Sequence, residues 1–195
     1  ITFTGMTEGT DAIINISGDA TSSCDLNTNL ASPVCLPLPI ADDFTYPDGS
    51  LIDNSLWVNN DGTMGDLMVI SGQALVQHGT PSEDANLEFI PVTGNIYYAL
   101  DFTVVDPGSP ISGTDMEYFA HFKDTGYGYR ARLDVVSPSA AGDFSVGIST
   151  KESTADATWA TDLSYGTSYR ATVKYDQDNN IAQLWIDAAV EGDPS

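Results

Sequence analysis

The stretch "NIYYALDFTVV", Asn95 to Val105, decides how the chain is read. Ile96, Tyr98, Leu100, Phe102 and Val104 recur at every second position, and successive side chains of an extended strand point to opposite faces. One face is therefore apolar and continuous, while Tyr97 and Asp101 sit on the other. A sheet built this way buries one side and leaves the other to solvent or ligand, the usual condition of antiparallel sheets.

The same period recurs along the chain. "AIINIS", "LMVIS", "QALVQH", "LEFIPV", "MEYFAHF", "YGYRARLDVV", "DFSVGIS", "SYRATVKY" and "IAQLWID" are short runs rich in β-branched and aromatic residues. Between them lie "NNDG", "VTGN", "DPGSPISG", "KDTGYG", "SPSAAGD" and "DQDNN", which hold the Gly, Asn, Asp and Pro that tight turns require. No window shows helical spacing. The expectation is an all-β sandwich of antiparallel strands.

In "YGYRARLDVV" strict alternation places Tyr127, Tyr129, Ala131, Leu133 and Val135 on one face, with Arg130, Arg132 and Asp134 on the other. In the strand before it, alternation groups Glu117, Phe119 and His121.

Charge narrows the function. The chain carries 28 acidic and 6 basic residues, a formal charge of -22, and its first Lys or Arg is Lys123. Nucleic-acid binding, which needs clustered cations against phosphate, is excluded as an expectation, and so is adhesion to anionic lipid. No run of residues is apolar enough to span a membrane as a helix. A surface this acidic suits a salty or calcium-bearing exterior. Cys24 and Cys35 bracket a short loop without a histidine, so a disulfide is favoured over zinc, which points to an oxidising, extracellular location. The sequon Asn15-Ile16-Ser17 depends for its meaning on the host.

The chain divides by composition. Residues 1–36 read as two strands and the cysteine loop; residues 37–40 read as a proline-rich linker; residues 41–195 form the main body, opened by "ADDFTYPDGSLIDNSLW". Two strands cannot bury a core alone, so residues 1–36 are expected to belong to a larger assembly.

From Ala41 onward, "DDFTYPDGSL", "LWVNNDGTMGDLMVISGQALV", "IYYALDFTVVDPG", "DMEYFAHF", "GYRARLDVV" and "SYRATVKYDQDNNIAQLWID" come in an order that resembles the concanavalin A-like (LamG-like) jelly-roll domains of large secreted bacterial proteins. Residues 1–36 resemble the tail of an immunoglobulin-like repeat. The resemblance implies a concanavalin A-like jelly-roll sandwich preceded by an extra strand pair. It also implies an accessory role in glycan binding or adhesion at a cell surface. Domains of this type normally add further strands after the one matched by "IAQLWID". Either a longer polypeptide or another molecule, such as a neighbouring copy exchanging strands in a fibre, is expected to supply them.

Catalysis in this family has recognisable patterns. Glucanases carry Glu-x-Asp-x-x-Glu on one strand, and here only Asp115 and Glu117 alternate. Lyases use a strand of Arg-x-Glu-x-Arg and another of Gln-x-His; "QHG" at Gln77 to Gly79 has the wrong spacing. The chain is therefore expected not to be an enzyme, with a polysaccharide lyase centred on His121 as the second alternative. Glu117, His121, Tyr127, Tyr129, Arg130, Arg132 and Trp159 are the expected contacts to a polysaccharide or cell-surface glycan, since rings stack on the apolar face of a pyranose. Trp57 is assigned to the core, and Trp185 to the face away from it.

Calcium is the expected ion. Asp176, Asp178 and Asn180 in one loop, and Asn60, Asp61 and Asp66 in another, offer hard oxygen ligands. Both strings also serve as ordinary hairpin turns.

Overall fold

The structure, a computed structural model, describes residues 35–77, 79, 81–111, 118–124, 128–151 and 153–195. Its elements in chain order are β1 (Gly49–Ser50), α1 (Leu51–Asn54), β2 (Val58–Gly62), β3 (Met68–Ile70), β4 (Gln73–Leu75), β5 (Glu83–Asn86), β6 (Asn95–Thr103), β7 (Tyr118–Lys123), β8 (Tyr129–Val136), β9 (Ser145–Ser149), β10 (Ala157–Thr158), β11 (Ser168–Asp176) and β12 (Ile181–Ile186). The fold is all-β, and every strand pairing within its sheets is antiparallel. A three-stranded sheet runs β12-β11-β6, and a four-stranded one runs β10-β9-β8-β7. Two smaller sheets, β1-β3-β4 and β2-β5, complete it.

The inner face of the three-stranded sheet follows the alternation. Opposed residues on neighbouring strands share a face. Ile96, Tyr98, Leu100 and Phe102 of β6 lie opposite Tyr175, Val173, Ala171 and Tyr169 of β11, and Leu184 and Ile186 of β12 continue the row. This face meets Phe119 and Phe122 of β7: Phe102 and Phe119 ring centroids are 5.2 Å apart, and those of Tyr98 and Phe122 are 5.1 Å apart. Leu133, Val146 and Ile148 close the core from the four-stranded sheet.

The outer face of the three-stranded sheet is covered in part by the residues after β12. Trp185 faces outward, as the alternation requires, but it is buried and its indole Nε1 donates to the Asp193 carbonyl at 2.8 Å. Glu191 accepts from Tyr97 Oη at 2.9 Å and from Lys174 Nζ at 3.2 Å.

The opening of the body, Ala41 to Trp57, ties itself together through one carboxylate. Asp42 accepts from the Phe44 amide (2.8 Å), the Tyr46 hydroxyl (2.8 Å) and the Trp57 indole (2.7 Å). The first of these bonds closes an Asx turn, at which Phe44 adopts φ of 54° while its ring, almost fully buried, stacks on Trp57. Asp42→Ala would leave three donors without their acceptor. A loss of about 1–3 kcal/mol of unfolding free energy is expected in urea titrations.

Several elements differ from the reading of the sequence. "LEFIPV" contributes only an isolated parallel bridge, Leu36 to Phe89, rather than a strand. "NNDG", expected as a connector, belongs to β2, and its partner β5 carries the polar sequence EDAN. Glu83 makes that pairing useful: it is buried and accepts from Asn59 Nδ2, Gly65 N and Leu67 N at 2.9–3.0 Å, which fixes the loop between β2 and β3. One helical turn, α1, was not signalled by any periodicity. Leu36 and Leu38 pack against the core and Ile40 is part of it, so the proline-rich segment lies along the body. The strand pair expected within residues 1–36, the sequon and Cys24 lie outside the described residues.

Candidate functional site

β7 and β8 depart from regular pairing at two places that face each other. Tyr118 pairs with Asp134, Ala120 with Leu133 and Phe122 with Arg130, so the register shifts on both sides of Ala120. Ala131 adopts φ of 50°, a left-handed conformation uncommon for a residue with a Cβ. An extra residue in a strand reverses which side chains point outward beyond it. Two opposed bulges therefore change the membership of each face.

The correction is specific. Phe119 faces the core with Phe122, so His121 does not share a face with Phe119 and joins Tyr118 instead. Tyr129 does not side with Ala131 and Leu133, which are buried in the core; it lies against His121. Arg130 and Arg132 also part company. Arg130 turns to the core side, hydrogen-bonding the carboxylate of Asp124 and approaching Tyr175, whereas Arg132 lies on the outer face beneath Tyr118.

Tyr98 holds this arrangement from the opposite sheet. Its buried hydroxyl donates to the Ala131 carbonyl at 2.7 Å and also lies 3.3 Å from the Ala120 carbonyl. Both bulge residues are thus tied to one side chain.

The outcome is a half-exposed cluster of three rings. His121 and Tyr129 centroids are 4.5 Å apart, Tyr118 and His121 are 5.5 Å apart, and Tyr118 and Tyr129 are 5.7 Å apart. The Arg132 guanidinium carbon lies 4.9 Å from the Tyr118 ring centre. The Tyr118 hydroxyl donates to Asp84 Oδ2 at 2.6 Å, linking the cluster to β5, and Lys123 Nζ donates to Asn60 Oδ1 of β2.

Electrostatics set the protonation states. His121 Nδ1 lies 3.0 Å from the Phe122 carbonyl, which can only accept, so Nδ1 carries the proton and Nε2 the lone pair. Although part of the ring reaches solvent, close packing removes most of its water. This desolvation, reinforced by Arg132 and Lys123, pushes the imidazole down to about 4. Burial raises Asp84 against the opposing effect of the Tyr118 hydrogen bond, with Asp61 adding to the rise. Burial also raises Tyr118, assisted by Asp84, and lowers Lys123 against the pull of Glu88, Asp84, Asp124 and Asp61.

The shift on His121 is also a statement about stability. A folded-state value of about 4 against an ordinary 6.5 means that the unfolded chain binds the extra proton first. The contribution is fully present above pH 6.5 and is lost as pH falls toward 4, up to about 3 kcal/mol. Urea midpoints measured from pH 7 to 4 are expected to fall more steeply for the parent than for His121→Phe.

Arg132 is committed to structure. Its side chain is 5% exposed, donates to Asp134 Oδ1 at 2.7 Å and Oδ2 at 3.3 Å, and also bonds the Ser153 carbonyl. His121 could accept a proton at Nε2, but the guanidinium that a lyase turns toward a uronate is engaged elsewhere here. Trp159, expected as a sugar platform, is half-buried and packs partly against the core, away from the ring cluster's own contacts, with its amide bonded to the Val146 carbonyl at 2.8 Å and its own carbonyl accepting from Ser145 Oγ at 2.8 Å. Glu117 and Tyr127 lie outside the described residues, as does Cys24 of the expected Cys24–Cys35 pair. Tyr118 and Asp84 were missed: both sit at positions where simple alternation gave no reason to place them beside His121.

Several of the expected calcium ligands take part in turn or side-chain hydrogen bonds. Asp176 accepts from the Asn179 amide and side chain, both at 2.9 Å; Asn180 has φ of 59° and accepts from the Tyr175 hydroxyl at 2.7 Å. Asp61 accepts from the Gly62 amide at 2.8 Å, Asn60 holds Lys123, and the Asp66 amide donates to the Thr63 carbonyl at 3.1 Å. Asp178 lies in the same turn as Asp176. No group of three or more His, Cys, Asp or Glu converges as a metal site among the described residues.

No family model matches the chain, and comparison with curated proteins and with solved structures gave no match.

Proposed function

We propose that this chain is a non-catalytic extracellular β-sandwich module, of concanavalin A-like jelly-roll type, that binds glycans or mediates adhesion at a cell surface. The observation that carries the reading is the ring cluster of Tyr118, His121 and Tyr129 on the outer face of β7 and β8, flanked by Asp84 and Asn60. Aromatic faces beside hydrogen-bonding groups are the chemistry by which pyranose rings are held. The acidic surface supports an exterior location, where salt screens its self-repulsion. Affinity-gel retardation against plant, algal and bacterial polysaccharides tests the reading. Retention of the parent, weakened in Tyr129→Ala, is expected; uniform failure across the panel would contradict it.

A second reading, assembly into a fibre by strand exchange, draws on a different feature. Among the described residues β12 and β6 each pair with a strand on one side only, and unpaired edges accept additional strands. Light scattering after size exclusion separates the two, because a strictly monomeric protein at all concentrations removes strand exchange.

A further inference from the structure

The charges around the ring cluster go further than the cluster itself. A glycan carrying uronates or sulfates needs a cation turned toward it, since burying an unpaired anion is costly. Each described cation near the rings is already engaged. Arg132 is buried against Asp134 and Ser153, and Arg130 turns to the core side and pairs with Asp124. Lys123 bonds Asn60 and stands among Glu88, Asp84, Asp124 and Asp61. The groups beside the rings are then the Tyr129 hydroxyl, the lone pair of His121 Nε2, and the carboxylates of Asp84, whose Oδ2 holds the Tyr118 hydroxyl, and Asp61, whose Oδ1 holds the Gly62 amide. Carboxylates accept hydrogen bonds from sugar hydroxyls and repel sugar acids.

Resting on the glycan-binding reading above, we infer that this site takes uncharged glycans and discriminates against acidic ones. Discrimination comes from the carboxylates at the rim, and retention comes from stacking on Tyr118 and Tyr129. Because stacking does not depend on ionic strength, binding persists in salt that screens the protein's overall charge.

The test uses the full chain and a matched pair of gels: polygalacturonate, and the same polymer with its carboxyl groups reduced to alcohols. Neutral β-glucan, xylan and mannan gels accompany them. All are run at low salt and again at about 1 M, where charges are screened beyond about 3 Å. The expected result is retention by at least one neutral polymer at both salt concentrations, with the acidic member of the pair retained less than its reduced counterpart. Tyr129→Ala is expected to bind about five- to ten-fold more weakly, one ring's stacking, while Tyr129→Phe keeps most of the affinity. Thermal melts confirm that both variants fold, and if the alanine variant does not, Tyr129→Ser is used. Stronger retention by the acidic member overturns this inference while leaving glycan binding in place. Retention by no gel overturns both.

Discussion

Replacing Asp134 with alanine is expected to destabilise the protein by about 3–5 kcal/mol. Asp134 and Arg132 are both nearly inaccessible, with side chains 1% and 5% exposed, and each compensates the other's desolvation. Removing the carboxylate leaves a buried guanidinium that keeps, among the described residues, the Tyr118 ring and the Ser153 carbonyl. The cost is that of the stranded charge rather than the worth of the pair. The double variant Arg132→Met/Asp134→Leu is accordingly expected to recover to within about 1 kcal/mol of the parent. Equilibrium urea unfolding of the three proteins decides the matter. A mild Asp134→Ala phenotype would mean that water reaches the pair.

Tyr98 should show the second large effect. Tyr98→Ala removes a fully buried ring from the contact with Phe122 and is expected to cost about 3–5 kcal/mol. Tyr98→Phe is the more informative change. It preserves the packing but leaves the carbonyl of Ala131 without its donor, for about 1–2 kcal/mol. Glycan retention is expected to weaken in Tyr98→Phe, even though Tyr98 lies in the core and never meets a ligand. Retention unchanged in the face of measurable destabilisation would detach the bulges from the site.

The sequence disclosed one of the two large sheets well. Ile96 to Phe102 and Tyr169 to Tyr175 alternate without interruption, and the structure places each where the period of two requires. Trp185 was legible on the outward face for the same reason. In the other sheet the alternation breaks at its most important point. Nothing in "YRARL" marks a bulge: Ala131 occupies a left-handed conformation without being Gly, Asn or Asp, the residues that normally announce one. The conformation is imposed from outside, by the Tyr98 hydroxyl and the packing of Phe119 and Phe122, so no local signal exists to be read. β2 and β5 were hidden differently. Their residues have low strand propensity, and the pairing is supported by the buried Glu83 carboxylate, a long-range arrangement that sequence pattern does not encode.

The candidate site followed the same division. His121, Tyr129 and Arg132 were legible as chemistry, because residue type alone recommends them. Their grouping was not. Arg130 and Arg132 looked equivalent as a pair of cations two residues apart, yet one turns toward Tyr175 and the other supports Tyr118.

That paired bulges in β7 and β8 bring Tyr118 and Arg132 onto the surface that carries His121 and Tyr129 is the premise on which site, charge argument and ligand class all stand. Aromatic nuclear Overhauser spectra of the intact chain measure it directly. Cross-peaks from the Tyr118 ring to the His121 and Tyr129 rings, at centroid separations of 5.5 and 5.7 Å, are the predicted result. Cross-peaks from Tyr118 to Phe122 and the core, with none to His121, would show uninterrupted alternation and contradict the account.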